Sequence, residues 1–264
     1  MDLQHLCEDV CNLAKKTGEF LRTEITKVSA ADIETKGLHD FVTYVDKTSE
    51  KSILEELQKL LPEAGFIAEE KTITTKSEKY NWIVDPLDGT TNFIHGVPCY
   101  SVSIALAEGD EIILGVVYEV NIDECFYAFK GGKAYLNGNE IHVSDKQKVS
   151  DALIATGFPY YNYSDLDRYM ELFTYFLKNS HGIRRLGSAA VDLAYVACGR
   201  FEAFFEYGLN PWDVAAGAYI ITQAGGKVCD FKGGQKYIFG KEIAASNNLL
   251  SEEFSSIVQS AFKD

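Results

Sequence analysis

One stretch in the first half of the chain decides the fold: it reads WIVDPLDGTTNF and runs from Trp82 to Phe93. Its apolar beginning, Trp82–Val84, is typical of a buried strand, and the Asp-Pro and Asp-Gly steps that follow predict a turn. Gly89 then allows a ligand to approach the backbone closely, and a helix is expected to begin just after it. The unpaired N–H groups at a helix start can bind an anion, so the stretch predicts a strand that ends in acids beside an anion site.

Helix and strand patterns lie on both sides of this stretch. Upstream, apolar residues at helical spacing predict helices over 3–27 and 47–61, followed by a short strand over 65–68. Downstream, residues 100–143 alternate apolar runs with Gly and Asn turns, which is typical of an antiparallel meander. Four strands are expected there, over 101–107, 111–119, 124–129 and 134–143.

After about residue 144 the pattern changes to alternating strands and helices, which indicates a second α/β unit. The predicted strands are 153–156, 201–205, 227–229 and 243–246. The predicted helices are 165–177, 188–197, 214–224 and 251–262. We therefore expect a layered α/β (α+β) fold of two abutting units, residues 1–145 and 146–264.

The composition excludes several classes of protein. Of the 264 residues, 46% are hydrophobic and 24% charged, which is too apolar for intrinsic disorder, and no apolar run approaches the ~18 residues that span a bilayer. The 39 Asp and Glu outnumber the 25 Lys and Arg, which gives a formal net charge of -14. Because this acidic field repels phosphate backbones and anionic lipids, neither nucleic acid nor membrane is expected as a partner.

Several common catalytic and metal-binding motifs are absent from the sequence. The six cysteines form no C-x-x-C pair, the five histidines lack ligand spacing, and there is no P-loop, G-x-G-x-x-G, H-E-x-x-H or G-x-S-x-G motif. The first residues, Met1 to His5, show no basic and apolar segments of a secretory signal. We therefore expect reduced cysteines and a cytoplasmic location.

The chemical signal lies in acidic residues placed after strands or at a helix start. They are Glu69, Glu70, Asp85, Asp88 and Asp213. Hard cations such as Mg²⁺ take oxygen ligands, usually a few carboxylates, and leave other positions for water or phosphate oxygens. Each acid also has a structural alternative: Asp85 and Asp88 suit an ordinary turn, adjacent glutamates are usually solvated, and Asp213 alone fits a helix cap worth about 1 kcal/mol.

The residues after Asp88 favour phosphoryl chemistry over these alternatives. A glycine and a helix start next to metal ligands would place a phosphate cradle beside the cation. Asp85 and Asp88 are three residues apart, whereas aspartyl-phosphate hydrolases of the haloacid dehalogenase type use acids two residues apart. The sequence therefore gives no indication of a covalent nucleophile.

At these residues the chain resembles the inositol monophosphatase family of lithium-sensitive, Mg²⁺-dependent phosphatases. The family motifs are an acidic pair, then D-P-[LI]-D-G-T-x-N-F, then W-D-x-A-[AG]-[GA]. Here they are Glu69-Glu70, residues 85–93 and residues 212–217, with further similarity over 40–46 and 184–190. The resemblance implies an αβαβα sandwich, usually a homodimer, with two to three Mg²⁺ ions in the cleft between the two units.

The resemblance also implies roles for individual residues around the metals. Glu69, Asp85 and the Leu87 carbonyl would hold the first Mg²⁺, and Asp85, Asp88 and Asp213 the second. A third ion would lie near Glu69 through waters. Glu70 would orient these ligands from behind.

Catalytic and substrate roles follow from the same resemblance. Thr90, paired with Asp46, would position or deprotonate the attacking water, and Lys36 would lie near the waters of the third ion. The substrate-binding positions implied are Asp88, Gly89, Thr90, Ser188, Ala189, Glu206 and Asp213. Gly89 and Thr90 would hold the phosphate through their N–H groups, and Asp88, Ser188, Glu206 and the backbone of Ala189 would contact sugar-like hydroxyls. Ser188 and Glu206 have structural alternatives, a helix cap and a strand-end surface acid.

The expected function is hydrolysis of a small polyol phosphate, with myo-inositol 1-phosphate as the first expectation. Fructose 1,6-bisphosphate, histidinol phosphate, a 3′-phosphoadenosine nucleotide and NADP are alternative substrates, and a non-catalytic regulatory protein of the same fold is an alternative class. Many members have Gly where this chain has Ala68, and residues 208–211 vary among members, which puts the inositol preference in question. Because two Mg²⁺ would neutralise four carboxylates, phosphate binding is expected to depend on the metal.

Overall fold

Seven helices and fourteen strands are found in the part of the chain that the structure describes. A computed structural model describes residues 1–37, 40–73, 75–159 and 162–263, with side chains described except at 30, 35–37 and 40. The helices are α1 (Leu3–Glu24), α2 (Tyr44–Leu60), α3 (Thr90–Ile94), α4 (Leu166–Asn179), α5 (Ala189–Ala197), α6 (Pro211–Gln223) and α7 (Ser251–Ala261). No helix in these ranges is long and apolar enough to cross a membrane.

The strands form one hairpin and two larger sheets. The hairpin pairs β1 (Glu34–Gly37) with β2 (Asp40–Val42). A seven-stranded sheet contains, in spatial order, β3 (Gly65–Ala68), β4 (Tyr80–Asp88), β5 (Ser101–Glu108), β6 (Glu111–Glu119), β7 (Glu124–Phe129), β8 (Ala134–Leu136) and β9 (Asn139–Glu140). A five-stranded sheet contains, in spatial order, β11 (Gly182–Arg184), β10 (Leu153–Thr156), β12 (Ala203–Tyr207), β14 (Glu242–Ser246) and β13 (Lys227–Cys229).

The helices and the two larger sheets alternate in five layers. Helices α1 and α2 pack on the outer face of the seven-stranded sheet around buried residues such as Trp82. Helices α5 and α6 lie between the two sheets, where Leu193 and Ala215 pack with residues of both. Helices α4 and α7 cover the far side of the five-stranded sheet around Phe205. This arrangement confirms the predicted αβαβα sandwich.

A glycine in β6 allows α6 to lie close to the seven-stranded sheet. A Cβ atom added at Gly115 of β6 would lie 2.8 Å from the carbonyl oxygen of Ala216. This distance is shorter than a normal van der Waals contact, so the packing requires glycine at position 115. The close approach places the first turn of α6, which carries Asp213, near the end of β4.

Most predicted elements are present, and the differences have local causes. Helices α2 and α6 begin three residues before the predicted starts, because Thr43 and Asn210 cap them and Pro211 fits the first helical position. The predicted strand over 134–143 is wrong in its extent. It divides into β8 and β9 at Asn137 and Gly138, which have φ of 48° and 86°, as a tight hairpin turn requires.

The prediction that the strand beginning at Trp82 ends in a turn directly after Val84 is wrong. Strand β4 continues through Asp85 and Pro86 to Asp88 instead of ending at Val84. Asp85 pairs with Ser103 and Asp88 with Ser101, so β4 has one residue more than its partner over this interval. Such a bulge tolerates a proline, which has no N–H for the ladder.

The predicted boundary at residue 145 falls between β9 and β10. Each larger sheet is built from one side of that boundary, whereas the middle layer packs against both sheets. The division into units of 1–145 and 146–264 stays a prediction.

Candidate functional site

A cavity of about 540 Å³ opens beside the end of β4. Its walls come from the loop after β3, from the end of β4 with the start of α3, and from the segment that joins β12 to α6. Glu69, Asp85 and Asp213 are among the lining residues, so the cavity brings together acids from three separate parts of the sequence.

Three aspartates form the centre of the site. Asp85, Asp88 and Asp213 each present an oxygen, and these oxygens all lie within 4.8 Å of one another. Asp85 is buried, whereas Asp88 and Asp213 are partly exposed toward the cavity. The oxygens are close enough to bind one cation together.

Backbone donors fix two of these carboxylates locally. The Leu87 N–H donates to Asp85 Oδ1 (2.9 Å), within the bulge of β4. The Asn210 N–H donates to Asp213 Oδ2 (2.7 Å), as in a capping box at the start of α6. Asp213 therefore has the helix-cap role raised as an alternative and also faces the cavity.

Asp88 is held by the start of α5. Ser188 Oγ donates to Asp88 Oδ2 (2.5 Å), and the Ala190 N–H donates to the same oxygen (2.8 Å). The Ser188 hydroxyl also accepts from the Val191 N–H (3.3 Å) as the N-cap of α5. The two interpretations of Ser188, helix cap and site residue, are thus both compatible with its contacts.

Burial and neighbouring carboxylates raise the pKa values of Asp85 and Asp213. Burial raises the pKa of Asp85 well above its ordinary value, and the charges of Glu69, Asp88 and Asp213 raise it further. Burial, then the charge of Asp88, raises the pKa of Asp213 to about 7. A divalent cation between these oxygens would offset the repulsion.

The donor set fits a hard divalent cation. The three aspartates and Glu69 line the cavity with carboxylates, and Leu87 lies beside them. Oxygen-only sites suit Mg²⁺, Ca²⁺ or Mn²⁺ rather than the softer transition metals. Cation binding is also favoured because it relieves the electrostatic repulsion among the buried carboxylates.

The raised pKa values predict how stability depends on pH and metal. A carboxyl whose pKa rises on folding, such as Asp213 from 3.8 to about 7, binds more protons in the folded state between those values. Its contribution to stability is therefore lost as the pH rises through about 7, and the buried Glu206 and Asp192 act in the same direction. In chelator, we expect a lower Tm at pH 8 than at pH 5.5, measured by differential scanning fluorimetry.

Mg²⁺ competes with those protons, so it is expected to raise the Tm more at pH 8 than at pH 5.5. Monovalent salt of equal ionic strength is the control. A Tm in chelator that rises between pH 5.5 and 8, or an equal Mg²⁺ effect at both pH values, would contradict the arrangement of mutually repelling acids.

Thr90 joins the start of α3 to the start of α2. Its Oγ1 lies 3.0 Å from Asp46 Oδ1 and 3.0 Å from the carbonyl oxygen of Leu87. The other Asp46 oxygen accepts from the Thr43 N–H (2.8 Å) and hydroxyl (2.7 Å). Burial raises the pKa of Asp46, and the hydrogen bonds from Thr43 and Thr90 oppose that rise.

Gly89 precedes α3 with a left-handed backbone, at φ 97°. A Cβ atom there would lie 3.1 Å from the carbonyl oxygens of both Cys99 and Gly187. The position thus requires glycine, because the backbone is left-handed and because a side chain would crowd the two carbonyl oxygens. The predicted helix start after Gly89 is confirmed, although α3 has only five residues.

The predicted alcohol contacts Ser188, Ala189 and Glu206 lie at the start of α5 and in β12. Glu206 is buried at the end of β12, so the alternative of a surface acid is wrong. A smaller cavity of about 60 Å³ adjoins Ser188, Ala189 and Glu206. Burial raises the pKa of Glu206 well above its ordinary value, and the guanidinium of Arg185 opposes this.

Other predicted and unpredicted residues complete the site. Glu69 and Glu70 follow β3 directly, and the side chain of Lys36 lies outside the described residues. Sequence reasoning missed Gly157, where a Cβ atom would lie 2.1 Å from the Glu206 carboxylate oxygens. It also missed Glu50, whose carboxylate accepts hydrogen bonds from the loop that carries Glu70. A lone glycine gives no signal in the sequence, whereas Glu50 could have been found from its helical spacing to the apolar Ile53 and Leu54.

This sandwich, with an acidic cavity that could bind a metal ion, fits the class of metal-dependent phosphatases that the motifs resemble. The sequence model of the Inositol monophosphatase family matches residues 2–262, and the chain belongs to that family. The fold, the motifs and the family match agree on a phosphatase of this type.

Individual relatives are similar over nearly their whole length. The inositol-1-monophosphatase of Mesorhizobium japonicum is 38% identical over 247 residues, 93% of each chain. A protein named Nus factor SuhB from Pseudomonas aeruginosa is 37% identical over 262 residues, 97% of each chain. The crystal structure of the extragenic suppressor protein suhB from Bartonella henselae superposes with a TM-score of 0.92 at 37% identity, covering 97% of this chain and 98% of that one.

Proposed function

We propose that this protein is a Mg²⁺-dependent phosphomonoesterase that acts on a small polyol phosphate. The proposed preferred substrate is myo-inositol 1-phosphate. The observation that carries the proposal is the convergence of Asp85, Asp88 and Asp213, from β4 and α6, on one cavity with their oxygens within 4.8 Å. The family membership supports the same class of reaction.

The residues that would hold the metals are those with oxygens in the cavity. Glu69, Asp85 and the Leu87 carbonyl would take one ion, and Asp85, Asp88 and Asp213 a second, with a third near Glu69. Bound Mg²⁺ would neutralise the carboxylates and supply Lewis acidity for an in-line attack by water on phosphorus. Glu70 would support the ligands from the loop after β3.

Thr90 and Asp46 would align the attacking water. With the Thr90 hydroxyl donating toward Asp46 Oδ1, its lone pairs are available to accept a proton from water. Asp46 can accept the proton that Thr90 passes on, because burial raises its pKa above that of an exposed carboxyl. Lys36, whose side chain lies outside the described residues, would act near the waters of the third ion.

The substrate would lie across the cavity from the water. The N–H groups of Gly89 and Thr90 would bind phosphate oxygens as charge develops on them. Asp88, Ser188, Glu206 and the backbone of Ala189 would contact hydroxyls of the alcohol. Glu206, a buried acceptor beside a small cavity, favours a leaving group that carries several hydroxyls.

Phosphate release across a substrate panel, with and without Mg²⁺, tests this proposal. The panel contains both inositol 1-phosphate enantiomers, inositol 2-phosphate, fructose 1,6-bisphosphate, histidinol phosphate, a 3′-phosphoadenosine nucleotide and NADP. We expect an inositol phosphate to be hydrolysed best, only with Mg²⁺, and inhibition by Li⁺. Full activity in chelator would rule out the metal mechanism. Faster hydrolysis of another compound in the panel would show that this compound, and not inositol phosphate, is the preferred substrate.

The alternative class of function is a non-catalytic regulatory protein of the same fold, since several relatives bear the name Nus factor SuhB. A protein that used this fold only to bind a partner would release no phosphate from any substrate of the panel. The presence of Glu69, Asp85, Asp88 and Asp213 around one cavity favours catalysis over that alternative.

We propose a homodimer as the assembly, which light scattering at several concentrations would test.

A further inference from the structure

A buried acid outside the proposed ligand set holds the loop that carries Glu69. Glu50 lies on α2 and is fully buried. Its Oε2 accepts from the Glu70 N–H (2.6 Å), and its Oε1 accepts from the Thr72 N–H (2.8 Å) and the Thr72 hydroxyl (2.7 Å). Both carboxylate oxygens are therefore committed to one short loop after β3.

The bend of that loop depends on this anchor. Lys71, between the two residues that Glu50 binds, has a left-handed backbone with φ 55°. Such a conformation is unfavourable for a residue with a side chain and persists where its neighbours fix it. Because Glu50 binds the N–H groups of Glu70 and Thr72, it fixes the chain on each side of Lys71.

The bend in turn determines where Glu69 lies. The Glu69 N–H donates to the carbonyl oxygen of Val84 (3.3 Å), the residue before Asp85. The next N–H along the chain, that of Glu70, donates to Glu50. Glu69 is thus held between β4 and α2, and its charge contributes to the raised pKa of Asp85.

Helix α2 is a rigid support for this contact. Glu50 follows Asp46 by four residues, so both acids project from the same face of the helix. Asp46 contacts Thr90 on one wall of the cavity, and Glu50 contacts the loop on another. Buried Ile53 and Leu54 anchor the helix in the outer core.

We propose that Glu50 is a positioning residue for the metal site. Through Glu70 and Thr72 it holds Glu69 where its carboxylate can bind the cation, and so it sets the divalent-metal affinity of the cavity. This inference rests on the proposed role of Glu69 as a metal ligand. A carboxylate suits the task because it accepts from three donors, whereas a glutamine would turn its NH₂ toward an N–H.

The test compares Glu50→Gln with Glu55→Gln, the same substitution at an exposed position of the same helix. Mn²⁺ binding is measured without substrate, by electron paramagnetic resonance and by calorimetry. We expect Glu50→Gln to bind Mn²⁺ about 10–100-fold more weakly, as is usual when a group that orients metal ligands is lost. Glu55→Gln should match the unmodified protein.

A kinetic measurement separates positioning from loss of structure. Since every proposed ligand remains in Glu50→Gln, kcat at saturating Mg²⁺ should stay within a few-fold of the unmodified protein, while the Mg²⁺ concentration for half-maximal activity rises. Thr72→Val, at an exposed position, removes one of the three hydrogen bonds and should weaken Mn²⁺ binding several-fold. If Glu50→Gln does not fold, the Mn²⁺ affinity of Thr72→Val is the measurement that tests the inference.

The outcomes distinguish this inference from the proposed function. Unchanged Mn²⁺ affinity in Glu50→Gln, or in Thr72→Val if that is the folded variant, would overturn the inference alone. A lower Tm without a change in affinity would also overturn it and leave Glu50 a purely structural residue. Absence of Mn²⁺ binding by the unmodified protein would overturn the metal-dependent function and the inference together.

Discussion

Asp213→Asn is expected to give a folded protein whose kcat is about 10²–10³-fold lower, which corresponds to roughly 3–4 kcal/mol of transition-state stabilisation. Asparagine keeps an oxygen that can accept from the Asn210 N–H, so the cap of α6 survives. It removes the negative charge that Asp213 places next to those of Asp85 and Asp88. A cation bound among these oxygens should therefore be held more weakly and stabilise the leaving group less.

The measurement is kcat over a range of Mg²⁺ concentrations, together with the Tm in chelator. Asp167→Asn, in the exposed first turn of α4, is the matched control and should have normal kcat. Because the pKa of Asp213 is raised by burial and by Asp88, removing its charge should not lower the Tm in chelator at pH 8. Normal turnover in Asp213→Asn would exclude Asp213 from the metal site, and a large drop in Tm would show that the loss of activity reflects unfolding.

The sequence predicts the centre of the site well because its residues combine several local signals. Asp85, Asp88 and Gly89 stand together at the end of an apolar run, so strand, acids and glycine are all visible within a few residues. The left-handed φ of Gly89 and the short α3 after it agree with that pattern. What the pattern does not contain is the bulge that extends β4 through Asp88, since a bulge depends on the pairing with β5.

Residues whose role depends on tertiary contacts are harder to predict. Glu50 is of a residue type that is usually solvated, yet it stands three and four residues before the buried Ile53 and Leu54 and is fully buried against the loop after β3. Glu206 ends a strand, where an acid is usually exposed, but Gly157 leaves the space that allows it to be buried. In both cases a partner that is distant in the sequence decides the environment, and a single sequence carries no signal for that partner.

Helix starts show a related difficulty, because one residue serves two purposes. Asp46 accepts from Thr43 as a cap and also contacts Thr90 in the site. Asp213 accepts from Asn210 and also lies with the aspartates of β4. Hydrophobic periodicity locates the body of each helix but not its capped first turn, so both helices begin earlier than predicted.

Thr90→Val is expected to lower kcat by about 10²–10⁴-fold, the usual contribution of a proton-transfer group. Valine keeps the shape of threonine but removes the hydroxyl that lies 3.0 Å from Asp46 Oδ1. The attacking water would then lose both its acceptor and the path for its proton to Asp46. The Mn²⁺ affinity should change little, since Thr90 offers no ligand in the proposed site.

A double-mutant cycle with Asp46→Asn tests whether the two residues act as one unit. If the proton passes from water through Thr90 to Asp46, the double variant should be about as slow as the slower single variant rather than the product of both losses. Thr90→Ser, which keeps the hydroxyl, should recover most of the activity, and Thr48→Val at an exposed position of α2 is the control. Fully additive losses, or a Thr90→Val variant with normal kcat, would show that the attacking water is aligned by other groups.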